Sequence, residues 1–64
     1  MTGIEAVVAL KEGKKIYHIS WEQKEYIRLG EDGQIYNEEN RVENFGLSDL
    51  ASGYNGDEWG IWRD

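Results

Sequence analysis

An α+β fold, with one N-terminal helix packed on a small, mainly antiparallel sheet of four to five short strands, is what this 64-residue chain predicts. Three observations carry that expectation. Apolar residues recur at helical spacing only as far as Gly13, the period then drops to two, and turn-forming pairs such as Asp32-Gly33 separate the alternating stretches. No linker, repeat or low-complexity segment divides the sequence, so residues 1–64 are expected to form a single domain. A chain this short buries only about 60% of the surface its unfolded form exposes, and without cysteine it has no disulfide or thiolate zinc site to support it. Self-association into a homo-oligomer is the remaining support.

The helix opens at Thr2, which with Glu5 forms a capping-box pattern. Ile4, Val7 and Val8 then make an apolar stripe with Leu10 at its margin, and Gly13 supplies the left-handed residue that ends it. In the segment KIYHISW, strict alternation would send Tyr17, Ile19 and Trp21 to one face, and Ile16, His18 and Ser20 to the other. EYIRLG alternates again, setting Ile27 and Leu29 opposite Tyr26 and Arg28. The Asp32-Gly33 hairpin signal leads into QIYN. EENR reads as a turn, VENF as a short fourth strand, Ser48 to Ala51 as one helical turn with a serine cap, and SGYNG as a loop. EWGIWRD closes the chain as a strand that sends Trp59 and Ile61 one way and Trp62 the other.

Charge is unevenly spread. Residues 1–30 carry five bases and four acids, net +1, while residues 31–64 carry nine acids and two bases, net −7. An acidic half of this kind either solvates the protein or mimics nucleic acid toward a basic partner. The total of −6 argues against direct binding of nucleic acid, because it opposes the phosphate backbone that supplies most of such affinity. There is no apolar run of membrane-spanning length and no signal-peptide pattern, so no membrane partner and a cytoplasmic location are expected.

No catalytic constellation stands out, and the chain is not expected to be an enzyme. His18 has no cysteine to pair with, none of the serines at 20, 48 and 52 sits in a nucleophile elbow, and a lone strand histidine is expected at a surface or interface. Glu38-Glu39 and Asp57-Glu58 read as solvated turn charges, and NGDE lacks the alternating ligands of a calcium loop, so neither metal nor cofactor is expected. Aromatic residues are the informative ones. Trp59 and Trp62 leave their strand on opposite faces, so one helix covers only one of them; the other lines a pocket, an interface or solvent. Trp21 follows the basic cluster Lys11, Lys14 and Lys15. Lys11 and Lys14 can finish the helix, whereas Lys15, Tyr26 and Arg28, judged by charge and face, can join Trp21 in stacking on a nucleotide-like ring and offsetting its phosphates. Core packing of each tryptophan is the competing reading.

The order EAVVALKEGKKI, SW, EYIRL, EDGQI, SDLASGY and DEWGIW resembles a family of small phage proteins. These begin with a helix, an ALKEGKK segment and a tryptophan, and close with an acidic-Trp strand. Members include Thoeris anti-defence proteins that act as sponges for cyclic-ADP-ribose-type signals. Tyr17 and His18 stand where the family pattern carries arginine-rich residues. The resemblance implies a non-catalytic protein in the cytoplasm of a bacterial host, assembled from several copies that hold nucleotide-derived ligands between protomers. Trp21 would stack on a ring and Trp59 would help to form the pocket. The alternative is an acidic inhibitor that binds a host defence protein, such as a CRISPR nuclease or a DNA-binding regulator. A virion assembly protein, with neither ligand nor host target, is a third reading.

Overall fold

A computed structural model describes every residue except Tyr54, Asn55, Asp57 and Asp64. Tyr54 and Asn55 of the SGYNG loop, and Asn55 and Asp57 of NGDE, therefore lie outside the described residues. In chain order the elements are α1 (Gly3–Lys11), β1 (Ile16–His18), β2 (Ile27–Leu29), β3 (Ile35–Asn37), α2 (Leu47–Ala51) and β4 (Trp59–Ile61). The strands form one antiparallel sheet in the order β3-β2-β1-β4, with Ile16 opposite both Ile27 and Ile61. The fold is α+β, as expected, with a second short helix beside the first.

Both ends of α1 are set by local chemistry. The Thr2 hydroxyl accepts from the Glu5 N–H at 3.1 Å while the Thr2 N–H donates to the Glu5 carboxylate at 2.8 Å, the reciprocal pair of a capping box. At the other end Gly13 adopts φ +88°; its N–H donates to the Leu10 carbonyl and the Lys14 N–H to that of Ala9, which satisfies carbonyls the helix leaves open. Lys14 then pairs with Glu12 at 3.3 Å.

The buried face of α1 differs from the expected stripe. Gly3, Ala6, Ala9 and Leu10 face inward and Val7 of the expected stripe packs partly buried against the core, whereas Ile4 is 62% and Val8 52% exposed. Close approach to α2 decides this: a Cβ on Gly3 would collide with the Leu50 carbonyl oxygen, so only the small-residue face can dock there. Ala6, Ala9 and Leu10 form a core with Ile16, Ile27, Ile35, Leu50 and Trp59.

Further departures concern the strands and α2. The chain turns at the end of β1, where the Trp21 N–H donates to the His18 carbonyl at 2.9 Å. Alternation therefore stops at His18, and Trp21 packs partly buried against the core ring of Trp59 at the edge of the sheet. His18 is itself 6% exposed and belongs to that interior, not to a surface. VENF contributes one isolated bridge, Tyr36 with Val42, in place of a fourth strand. The cap of α2 is Gly46, with the Asp49 carboxylate accepting its N–H at 2.8 Å, while Ser48 lies inside the helix. The β2–β3 hairpin forms as expected, with Gly33 at φ +84°.

Candidate functional site

One face of the sheet is covered by α1 and α2, and the tryptophan-rich end of the chain divides between that face and the open one. Trp59 is 4% exposed. Its ring meets His18 edge-on at 4.9 Å and Trp21 at 5.5 Å, and its Nε1–H finds no acceptor among the described residues. Trp62 emerges on the open face against Tyr26 at 5.1 Å and Tyr17 at 6.5 Å, and the Lys15 ammonium stands 4.9 Å from the centre of the Tyr26 ring. Gly60 makes room for this cluster, since a Cβ there would come within 2.6 Å of the Tyr17 ring. A strand glycine under an aromatic ring marks such close approach.

His18 shows how the turn after β1 is held. Its Nδ1 accepts the Ser20 N–H at 3.1 Å and lies 2.7 Å from the Ser20 hydroxyl. A backbone N–H can only donate, so Nδ1 is an acceptor and the proton of the neutral ring sits on Nε2. The rings of Trp59 and Trp21 flank the imidazole, 4.9 and 6.1 Å away between centroids. This pair closes a turn and sets Trp21 at the boundary between core and solvent.

Trp21 is the shared wall of two openings. On one side a groove of about 550 Å³ runs between Trp21, Tyr17 and Trp62, with Ile19, Glu22 and Arg63 at its margins. On the other a cleft of about 400 Å³ is walled by Trp21, Tyr26 and Phe45 and rimmed by Glu25, Glu38, Glu39 and Glu43. The first pairs rings with a guanidinium. The second pairs rings with carboxylates, and no lysine or arginine lines it among the described residues.

The five residues singled out from sequence are thus distributed. Trp21 lines both openings, and Tyr26 stands between the acidic cleft and the Lys15–Trp62 cluster. Trp59 supports Trp21 from within the core. Arg28 is elsewhere: its guanidinium lies 4.8 Å over the Tyr36 ring and donates to the Asn40 side chain at 2.8 Å, bracing the β2–β3 hairpin. Sequence reasoning missed Tyr17, Trp62 and Arg63 as groove residues. The opposite parity of Trp59 and Trp62 was the available signal, since it already required one ring to leave the core. No three His, Cys, Asp or Glu among the described residues are grouped so as to hold a metal ion, and no helix is long and apolar enough to cross a membrane. Comparison with family models, curated proteins and solved structures returned no match.

Proposed function

We propose that this protein is a non-catalytic sponge for a nucleotide-derived signal of the cyclic-ADP-ribose type, serving as a phage-type anti-defence protein in the cytoplasm of a bacterial host. The observation that carries this reading is the groove in which Tyr17, Trp21 and Trp62 offer ring faces beside Arg63, with Lys15 next to it over Tyr26. Purine rings stack on such faces at about 1–3 kcal/mol each, and the guanidinium meets phosphate through paired N–H donors. The resemblance of the sequence to small phage sponges points the same way.

The test is calorimetric titration of the purified protein with cyclic-ADP-ribose isomers and cyclic oligonucleotides. Replacing Trp62 with alanine should lower the affinity roughly five- to more than a hundredfold, whereas Arg28→Ala, at a residue that does not line the groove, should leave it unchanged. Circular dichroism must first show each variant folded. A parent protein that binds none of these molecules, or a folded Trp62→Ala that binds as the parent does, would sink the reading.

A second reading is favoured by a separate observation: Glu25, Glu38, Glu39 and Glu43 converge on one cleft instead of spreading over the surface. An acidic inhibitor of a host protein would use such a convergence to engage a basic partner. Its complex should weaken steeply with salt, while a ligand stacked in the aromatic groove should weaken less.

A further inference from the structure

We infer that His18 and Ser20 are positioning residues of the aromatic groove: their side-chain contact fixes Trp21 as its wall, so the Ser20 hydroxyl governs how tightly a flat ring is held there. This deepens the ligand reading proposed above and rests on the groove it describes. Neither side chain lines the groove; both act through Trp21. His18 holds the turn at three points. Its carbonyl accepts the Trp21 N–H at 2.9 Å, its Nδ1 accepts the Ser20 N–H at 3.1 Å, and the Ser20 hydroxyl lies 2.7 Å from the same nitrogen. By accepting from the backbone N–H two residues on, the imidazole takes the part that an Asn or Asp side chain plays in an Asx turn. The rings complete the hold. The imidazole lies 6.1 Å from Trp21 and 4.9 Å from Trp59, while Trp59 meets Trp21 at 5.5 Å with their planes at 89°.

The hold matters because the chain around Trp21 faces solvent. Ile19 and Ser20 before it, and Glu22, Gln23 and Lys24 after it, are all exposed, and Trp21 itself is only partly buried. Its orientation is therefore set by the rings beneath it and by the turn that delivers it. His18 is anchored independently, since it is 6% exposed and pairs across the sheet with Trp59 on β4. One buried ring thus ties an exposed turn to the sheet. A wall held in place before a ligand arrives loses little freedom on binding, and that saving appears as affinity. Ser20 is the residue to vary, because it is exposed and its hydroxyl can be removed while the His18, Trp21 and Trp59 rings stay.

The test uses the full chain labelled with ¹⁵N, with Ser20→Ala and Ser20→Thr, each shown folded by circular dichroism at the temperature of titration. The probes are adenosine monophosphate and a cyclic-ADP-ribose isomer. Without ligand, the heteronuclear Overhauser effect at the Trp21 indole N–H should fall in Ser20→Ala and recover in Ser20→Thr, which restores the hydroxyl, while the Trp59 indole is unchanged. Affinity, read from the Trp62 indole signal, should fall about two- to tenfold in Ser20→Ala, the change that one hydrogen bond of ordinary net strength makes, and return to within about twofold of the parent in Ser20→Thr. His18→Phe keeps a ring and loses the acceptor; if it folds, adding Ser20→Ala to it should cost nothing further, as expected of two residues that act as one pair. A Ser20→Ala that binds as the parent does, a Ser20→Thr as weak as Ser20→Ala, an unchanged Trp21 indole, or a further loss in the double variant would each overturn the assignment. If adenosine monophosphate binds and no cyclic-ADP-ribose isomer does, the sponge reading fails and the Ser20 series with adenosine monophosphate decides the positioning role. If neither probe binds, both fall.

Discussion

At the tip of the β2–β3 hairpin the Tyr36 hydroxyl donates to the Asp32 carboxylate at 2.6 Å, and the backbone N–H of Gln34 donates to the same group at 3.1 Å. The Tyr36 bond, followed by the Gln34 bond, holds the Asp32 carboxyl below its ordinary range; the same bond to Asp32, aided by burial, holds the Tyr36 phenol above its own. A depressed carboxylate contributes stability above its unfolded-state pKa and loses it as pH falls through the folded value. A raised phenol contributes below its unfolded-state pKa and loses it as pH rises through the folded value. The pair therefore works across the neutral range and fails at both extremes. Replacing Tyr36 with phenylalanine should move the Asp32 titration upward toward that of an ordinary carboxylate, as read from its side-chain carbon shift. An unmoved titration would assign the depression to the Gln34 amide alone. Asp32-Gly33 announced the turn in the sequence, but the partnership across it was hidden, because grouping by charge placed Arg28 with Lys15 and not with Tyr36 and Asn40.

At the scale of elements, the packing of α1 shows where apolar pattern and tertiary contact part. The cap residues Thr2 and Glu5 and the terminating Gly13 were legible, because their hydrogen bonds are satisfied within a few residues of themselves. The buried face was not. Hydrophobicity ranks Ile4 and Val8 above Gly3 and Ala6, yet the Leu50 carbonyl leaves no room for a Cβ at Gly3 and Ala6 is fully buried. The same limit explains the end of β1: alternation is a property of extended backbone, and nothing in KIYHISW states that the Ser20–His18 contact will end it. These assignments make opposite predictions for neighbouring residues. Ile4→Gln should change stability by no more than about 0.5 kcal/mol, while Gly3→Ala or Ala6→Val should destabilise by about 1–3 kcal/mol through overpacking. Urea unfolding followed by tryptophan fluorescence measures both. A large loss from Ile4→Gln with a tolerated Gly3→Ala would restore the Ile4–Val8 face as the core.

For the molecule as a whole, the decisive asymmetry is a sheet with helices on one side only. Sequence parity made this partly legible, since Trp59 and Trp62 had to part company, but which rings would meet Trp62 depended on strand order. That order sets β1 between β2 and β4, and so gathers Tyr17, Tyr26 and Trp62 into one patch. The exposed Ile4 and Val8 on α1 make a narrower patch on the opposite side. A small domain that leaves a continuous aromatic face uncovered gains by pairing it, and a self-complementary face gives a closed dimer. The protein is therefore expected to sediment as a dimer or larger species at micromolar concentration, with Trp62→Gln shifting it toward monomer and Ile4→Gln leaving it unchanged. Because the proposed ligand groove shares Tyr17 and Trp62 with that face, ligand and assembly are linked: a ligand bridging two copies should raise the assembled fraction in proportion to its occupancy, whereas one competing for the face should lower it. Sedimentation velocity with and without a bound cyclic-ADP-ribose isomer separates these outcomes. A 7.4 kDa monomer at every concentration, unaltered by the ligand, would show that the open face does not pair copies of the chain and leave ligand binding as its only proposed use.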